Sequence, residues 1–419
     1  MNNGNFQPER AILVGIRHPR QSRMDAAESL FELQRLSHTA GAAVVATTEQ
    51  EVRTIEPSSY IGKGKIEEIR QMVGDYQAES VIFDEDLSPV QNRNLEEQLR
   101  AKVIDRTGLI LDIFAQHATS KEGKLQVELA QYSYLMPRLV GRWGHFGKLG
   151  GGIGTRGPGE SQLEVDRRRA REKITRIRRA LEKVEQNRHL HRRKREGVPV
   201  PTVAMVGYTN AGKSSLLNAL SGADVLEEDM LFATLDPTVR RFTLPSGREV
   251  LLSDTVGFIR KLPHQLVEAF KATFEEVRAA DLLLHVIDMS SPISVQQVDV
   301  VNSVLRELSL DKKPIIEVYN KIDLLGPSVK DGHGIRVSAR QELGLERLLR
   351  AIEEKLSEDF KLVRLRIPYA ESGKLNWLYR VGEVRSRKDL GDGIHLKVAL
   401  RAADAARLRA MEEIRVRAL

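Results

Sequence analysis

Between residues 11 and 117, short apolar runs alternate with helix-like stretches. Ala11–Ile16, Ala42–Ala46 and Ser80–Asp84 read as buried strands. Between them, apolar residues recur three or four apart, as at Ile66, Ile69 and Val73. That alternation predicts an α/β layer domain. From Thr202 to about Asp359 it is stronger still, with strands predicted at 202–206, 240–244, 249–253, 282–287, 315–319 and 335–337. The last stretch predicts a strand at 361–367, a helix at 372–381, a hairpin turning on Gly391-Asp392-Gly393, and a charged helix from Ala402.

The middle of the chain reads differently. Leu125, Leu129, Tyr132, Met136 and Leu139 fall on one helical face. Nine glycines follow in the nineteen residues from Gly141 to Gly159. Leu163, Ala170, Ile174, Ile177, Leu181 and Val184 then form a second narrow stripe in a background of Arg and Lys. Two such stripes joined by one loop predict an antiparallel, coiled-coil-like helical hairpin, with the glycines at its tip; a disordered linker is the alternative for the glycines. The expected order is an α/β domain over 1–119, the hairpin over 120–197, a second α/β domain over 198–359 and a small α+β module over 360–419.

Charge sharpens this division. The chain has 65 Lys+Arg and 58 Asp+Glu among 419 residues, a net +7. Fourteen of the cations and only five of the carboxylates lie between Asp166 and Glu196, leaving 51 basic and 53 acidic residues elsewhere. The whole excess sits on one predicted helix, which points to a polyanionic partner there. A solvated, internally salt-bridged helix is the plainer alternative. The absence of cysteine excludes disulfides, a thiolate nucleophile and Cys-based zinc sites. No apolar run approaches the ~20 residues of a membrane span, and the start has no signal-peptide core, so a cytoplasmic protein is the default expectation.

One motif carries chemistry. Gly207, Tyr208, Thr209, Asn210, Ala211, Gly212, Lys213 and Ser214 match G-x-x-x-x-G-K-[ST], after the apolar strand Val203–Val206 and before the helix that opens with Ser215. Its glycines let backbone N–H groups curl around phosphates at a helix N-terminus. Lys213 can bridge β- and γ-phosphates, and the Ser214 hydroxyl can ligate Mg²⁺. Three more elements follow at strand ends. In Asp254-Thr255-Val256-Gly257, Asp254 can hold the metal through water and the Gly257 amide can meet the γ-phosphate. In Asn320-Lys321-Ile322-Asp323, Asp323 can accept from the guanine N1 and N2 hydrogens, a donor pair that adenine lacks. Asn320 can bond N7 and brace the loop, and the Lys321 stem can lie over the base. Ser338-Ala339 can offer an amide to the guanine O6. Four elements in this order, at the carboxyl ends of strands, predict a GTP site. Gly62-Lys-Gly-Lys65 lacks the P-loop spacing and reads as the start of a helix.

This set resembles the Ras-like GTPases. Leu231-Phe-Ala-Thr234-Leu-Asp-Pro-Thr238 is similar to switch I of the Obg–HflX branch. Tyr60-Ile-Gly-Lys-Gly-Lys, Asp105-Arg-Thr-Gly-Leu-Ile-Leu-Asp-Ile-Phe, Gln126-Val-Glu-Leu-Ala and Gly150-Gly-Gly-Ile-Gly-Thr-Arg-Gly-Pro-Gly-Glu-Ser resemble the HflX family over residues 10–360. The resemblance implies that Thr234, with Thr238 as the second choice, ligates Mg²⁺ and senses the γ-phosphate. Catalysis then rests on Lys213, Thr234 and Gly257. Where Ras-like enzymes often carry a water-orienting Gln after the glycine, this chain has Phe258, so slow hydrolysis that a partner accelerates is expected, with His264 or Gln265 as alternative sources of the missing group. Asn210 resembles the residue that helps some related GTPases bind K⁺.

The resemblance also implies binding to the large ribosomal subunit, with splitting or rescue of ribosomes under stress as the outcome. Contacts to rRNA are expected from Arg142, Trp143 and Arg156 at the tip and from Arg167, Arg168, Arg171, Arg178, Arg192 and Arg193 on the basic helix. Trp143 and Phe146 could instead pack onto the hairpin. The competing functions are a GTPase serving a modifying enzyme, for example on tRNA, and a regulatory binding module at a membrane or protease complex. A monomer that makes no membrane insertion is the expectation.

Overall fold

The computed structural model describes residues 8–19, 21–142, 158–195, 200–222, 231–232, 238–261, 271–325, 334–358, 360–409 and 415–418. The chain divides into two compact units. The first comprises residues 1–185 with two later segments, 229–236 and 260–271; the second comprises the rest.

In the first unit, β1 (Arg10–Arg17), β2 (Ala43–Glu51), β3 (Ser80–Phe83) and β4 (Lys102–Ile104) form a wholly parallel sheet in the order β2-β1-β3-β4. β3 is buried along its length and β1 from Ala11 to Ile16, as their apolar runs require. β2 runs five residues past its expected end. Its extension, Thr47–Glu51, is polar and alternates in exposure, as suits an edge strand. The crossover helices are α1 (Arg23–Thr39), α2 (Lys63–Asp75) and α3 (Pro89–Leu99), with α4 (Arg106–His117) after β4. Gly62 is the N-cap of α2, so the Gly-Lys-Gly-Lys stretch is indeed a helix start. Ser88 and Gln91 make a reciprocal capping box on α3, with Pro89 in its first turn.

The Asp-Arg-Thr-Gly stretch that opens α4, with Asp105 as its N-cap, is a structural hub. Asp105, fully buried, caps α4 by accepting from the Gly108 amide at 2.8 Å and also from the Leu87 amide at 3.2 Å. The Tyr134 hydroxyl donates to it at 2.7 Å, and Arg138 forms an ion pair with it while lying 3.5 Å over the Tyr134 ring. Burial raises the Asp105 carboxyl above the usual carboxylate range, against the opposing pull of Arg138. A Cβ at Gly108 would stand 2.9 Å from the Tyr134 hydroxyl, so only glycine fits beside this bond.

Tyr134 and Arg138 belong to α5 (Lys121–Arg142), and α6 (Pro158–Arg195) follows. The two stripes meet as expected: Leu129, Ile174 and Ile177 are buried together, with Leu125, Tyr132, Met136 and Leu181 packed against them. Lys173 pairs with Glu128 across the helices at 2.7 Å. The contact is narrow, so most of the α6 surface stays with its charges. The tip over 143–157, with Trp143, His145, Phe146 and Arg156, lies outside the described residues.

The second unit holds two sheets. The larger has the order β10-β9-β8-β5-β7-β6, where β5 is Thr202–Gly207, β6 Thr238–Thr243, β7 Glu249–Asp254, β8 Leu282–Asp288, β9 Ile315–Asn320 and β10 Ile335–Arg336. All neighbours are parallel except β6 and β7. Its helices are α7 (Lys213–Ser221), α8 (Lys271–Ala279), α9 (Ser294–Glu307) and α10 (Leu345–Ser357). Val203, Met205, Leu216, Leu252, Leu284, Val318 and Ile352 are among the residues of one continuous core. The smaller sheet is antiparallel, β12-β13-β11-β14, from β11 (Phe360–Ile367), β12 (Glu383–Leu390), β13 (Gly393–Arg401) and β14 (Arg415–Ala418), with α11 (Lys374–Val381) and α12 (Ala402–Arg409). Leu390 pairs with Gly393 across the expected hairpin turn.

Candidate nucleotide-binding site

The loop between β5 and α7 is shaped by close approaches. A Cβ at Gly207 would lie 2.4 Å from the Val286 carbonyl oxygen, and one at Gly212, where φ is +87°, would lie 2.2 Å from Asn320 Nδ2. Side chains are excluded at both ends of the loop, so its backbone can curl tightly. Asn210 adopts φ 59° within it.

Asn320, buried at the end of β9, ties this loop to another. Its Nδ2 donates to the Ala211 carbonyl at 3.0 Å, and its Oδ1 accepts from the Ala339 amide at 3.0 Å. Ser338 Oγ donates to Asp323 Oδ1 at 2.6 Å, which sets the carboxylate in place. Lys321, at φ 64°, pairs with Asp288 at 2.7 Å. Three of the four sequence elements therefore meet through Asn320 and Ser338.

The fourth joins at the phosphate end. Ser214 Oγ donates to Asp254 Oδ2 at 2.7 Å, and the Thr255 amide holds Asp254 Oδ1 at 2.9 Å. A hydroxyl and a carboxylate side by side are hard oxygen donors, a set that fits a divalent cation such as Mg²⁺. Thr255 Oγ1 donates to the Met205 carbonyl at 2.6 Å and fastens the β7 end to β5. Lys213 is buried, and its Nζ donates to the carbonyls of Tyr208 at 2.9 Å and Gly207 at 3.3 Å. Burial pushes its ammonium down to about 8, against the favourable charge of Asp254.

Phe258 has a role that its sequence position did not reveal. Its ring is buried and stacks on Phe274 of α8, with centroids 5.8 Å apart and planes 3° from parallel. Its amide donates to the Gly207 carbonyl at 3.0 Å, and its carbonyl accepts from the Thr209 amide at 2.7 Å. The residue that replaces a water-orienting side chain is thus a core anchor, and it holds the first part of the loop by its backbone.

Thr234, His264 and Gln265 lie outside the described residues. Thr238 opens β6 and pairs in register with Asp254 of β7. Phe232, Arg260 and Lys261 belong to the first unit and make their contacts there. Phe232 meets Phe114 edge to face at 4.7 Å. Lys261, at φ 53°, donates to Asp84 Oδ2 and Glu85 Oε1, each at 2.8 Å. Arg106 pairs with the same Asp84 at 2.6 Å and with Glu32, and donates to the Arg260 carbonyl at 3.3 Å. No sequence motif points to this acidic cluster, because its members come from four separate elements.

On α6, Arg168, Arg171, Arg176, Arg179 and Lys183, with Glu172 and Thr175, line an open groove. Arg168 pairs with Glu172 at 3.9 Å and Arg169 with Asp166 at 4.0 Å, long exposed pairs that contribute little. Arg167 and Arg178 lie on the same helix, and Arg142, Arg192 and Arg193 are placed by their helices alone.

Family models match in succession along the chain: "GTP-binding GTPase N-terminal" over residues 27–115, "GTP-binding GTPase Middle Region" over 117–195, "50S ribosome-binding GTPase" over 202–321 and "HflX C-terminal domain" over 328–415. The GTPase HflX of Caldanaerobacter subterraneus is 52% identical over 403 residues, covering 96% of this chain and 93% of the relative. The chain belongs to the HflX family of P-loop GTPases. The HflX protein of Escherichia coli is 43% identical over 409 residues, covering 96% and 95%. A GTP-binding protein of Sulfolobus solfataricus, solved in complex with GDP, shares 26% identity over 84% of this chain and 99% of its own, with a TM-score of 0.44. As an HflX-family GTPase, this chain binds and hydrolyses GTP, and its architecture is an N-terminal domain, a central P-loop GTPase domain and a small α+β module.

Proposed function

We propose that the loops joined by Asn320 are the GTP site, and that the chain acts as a GTP-dependent switch on the large ribosomal subunit. The observation that carries the site is the pair of hydrogen bonds that Asn320 makes, donating to the Ala211 carbonyl and accepting from the Ala339 amide, which bring the phosphate loop and the base loop together. The backbone from Gly207 to Gly212, with Lys213, Ser214 and Ser215, receives the phosphates. Asp254, Thr255, Val256 and Gly257 form the γ-phosphate side. Asp323 reads the guanine N1 and N2 hydrogens, Lys321 lies over the base, and Ser338-Ala339 meets O6. Ser214 and Thr234, and Asp254 through water, hold Mg²⁺, which when bound offsets charge on the β- and γ-phosphate oxygens. K⁺ beside Asn210 is part of this reading; equal hydrolysis in potassium and sodium would remove it.

GTP orders the segment with Thr234 and the segment after Gly257, and hydrolysis releases both. The basic groove of α6 supports a polyanionic partner. The "50S ribosome-binding GTPase" match over 202–321 supports a ribosomal one, which also implies a cytoplasmic location. On this reading rRNA is contacted by Arg142, Trp143 and Arg156 and by Arg167, Arg168, Arg171, Arg178, Arg192 and Arg193, and the outcome is splitting or rescue of ribosomes. The test is co-sedimentation with large ribosomal subunits, with a non-hydrolysable GTP analogue, across a salt series. Changing Arg167, Arg168, Arg171 and Arg178 to Gln should flatten the log–log salt slope by about 0.7–0.9 for each phosphate that the helix no longer neutralises. Unchanged binding and slope would remove α6 from the interface.

A further inference from the structure

Thr209 carries a polar atom that the described residues leave unused. The residue is 6% exposed, and its hydroxyl oxygen has no hydrogen-bond partner among the described residues. A buried hydroxyl in that condition is destabilising unless a ligand or water completes it. The polar groups of this loop start are otherwise engaged: the Thr209 amide with the Phe258 carbonyl, the Gly207 carbonyl with the Phe258 amide, and the Tyr208 carbonyl with Lys213. A purely structural threonine would be expected to use its hydroxyl on a backbone group, as Thr255 does on Met205.

Its position narrows what the ligand is. A Cβ on Gly257 would lie 2.8 Å from Thr209 Cα, 2.9 Å from its Cγ2 and 3.0 Å from Lys213 Nζ. Thr209, Gly257 and the Lys213 ammonium are therefore packed against one another. In the GTP site proposed above, on which this inference rests, Gly257 and Lys213 are the groups that meet the γ-phosphate. The side chain that follows Gly257, Phe258, is turned into the core against Phe274.

We infer that the Thr209 hydroxyl orients the attacking water, supplying from the phosphate loop the hydrogen bonds that Phe258 cannot supply from switch II. A hydroxyl is one donor and an acceptor at once. It can accept a hydrogen from the water while donating to a γ-phosphate oxygen, which fixes the water's lone pair toward phosphorus. The water oxygen then bonds to the γ-phosphorus, and the bond from that phosphorus to the β–γ bridging oxygen breaks. Its electron pair leaves with GDP, and the proton of the water passes to the released phosphate. Thr209 keeps its own proton throughout, so it positions the reactant and takes no part in the transfer.

The test is single-turnover GTP hydrolysis by the full chain carrying Thr209→Val, which keeps the shape and removes the hydroxyl, beside Thr209→Ser, which keeps the hydroxyl. Val should lower the hydrolysis rate by about 10- to 100-fold, Ser should stay within about threefold of the unaltered chain, and the Kd of both for a non-hydrolysable GTP analogue should stay within about twofold. Hydrolysis by the Val variant at the unaltered rate would overturn the inference. So would equal losses in Val and Ser, which would assign the effect to the shape of the loop. Asp323→Asn separates the two levels: if that variant still binds GTP normally, the proposed site itself has failed.

Discussion

At the carboxyl end of β3, Asp84 accepts from Ser29, Arg106 and Lys261, and Arg106 also reaches Glu32. At the carboxyl ends of β5 and β7, the groups are as buried but differently arranged. Lys213 faces backbone carbonyls rather than a carboxylate, and the Thr209 hydroxyl has no partner among the described residues. Both clusters stand where open parallel sheets hold ligands. The first is filled by the chain's own charges, while the second leaves a cation and a hydroxyl whose natural partners are phosphate and water. A charged cluster is thus a candidate site only after its partners have been counted.

The comparison breaks most visibly at Arg106. Arg106→Met leaves Asp84 and Glu32 buried with less compensation, and removing one member of such a pair costs about 3–5 kcal/mol. Urea unfolding of the full chain should show a loss of that size; an unchanged midpoint would mean that the cluster is not structural. A smaller effect sharpens the other side. Burial holds free Lys213 at a pKa of about 8, and bound polyphosphate favours its charged form, so nucleotide binding takes up a proton near that pH. The sign follows: affinity is full below pH 8 and is lost as pH rises through it. GDP affinity should fall about tenfold between pH 7 and pH 9, one unit above that pKa, with proton uptake seen by calorimetry in two buffers. A flat profile would take Lys213 away from the phosphates.

The second unit was largely legible in the sequence, because β5, β7, β8 and β9 are largely apolar runs, and β5, β7 and β9 end on the motif residues themselves. The helical hairpin was legible for a similar reason: two stripes, each the other's nearest apolar surface, meet at Leu129, Ile174 and Ile177. What could not be read depends on partners distant in sequence. Asp105 could be recognised as part of a motif, but its work as a hub needs Tyr134 and Arg138, about thirty residues on. β4 and β14 are three and four residues long, too short for any period to show. Phe258 could be read as a missing glutamine; that it is a core residue needs Phe274 from the next helix. That the Thr209 hydroxyl lacks a partner among the described residues is invisible in sequence, since a hydrogen bond depends on where its neighbours are placed.

The central claim is that the loops gathered by Asn320 hold guanine nucleotide, with Asp323 reading the base. Asp323→Asn replaces two acceptor lone pairs with an amide that presents a donor to the guanine N2 amine. Titration of this variant with GTP and with xanthosine triphosphate, which has a carbonyl at that position, tests the claim most directly. GTP affinity should fall by about 100-fold, consistent with losing hydrogen bonds to a charged acceptor, and affinity for the xanthine nucleotide should rise. An Asp323→Asn chain that binds GTP as tightly as the unaltered protein would contradict the account.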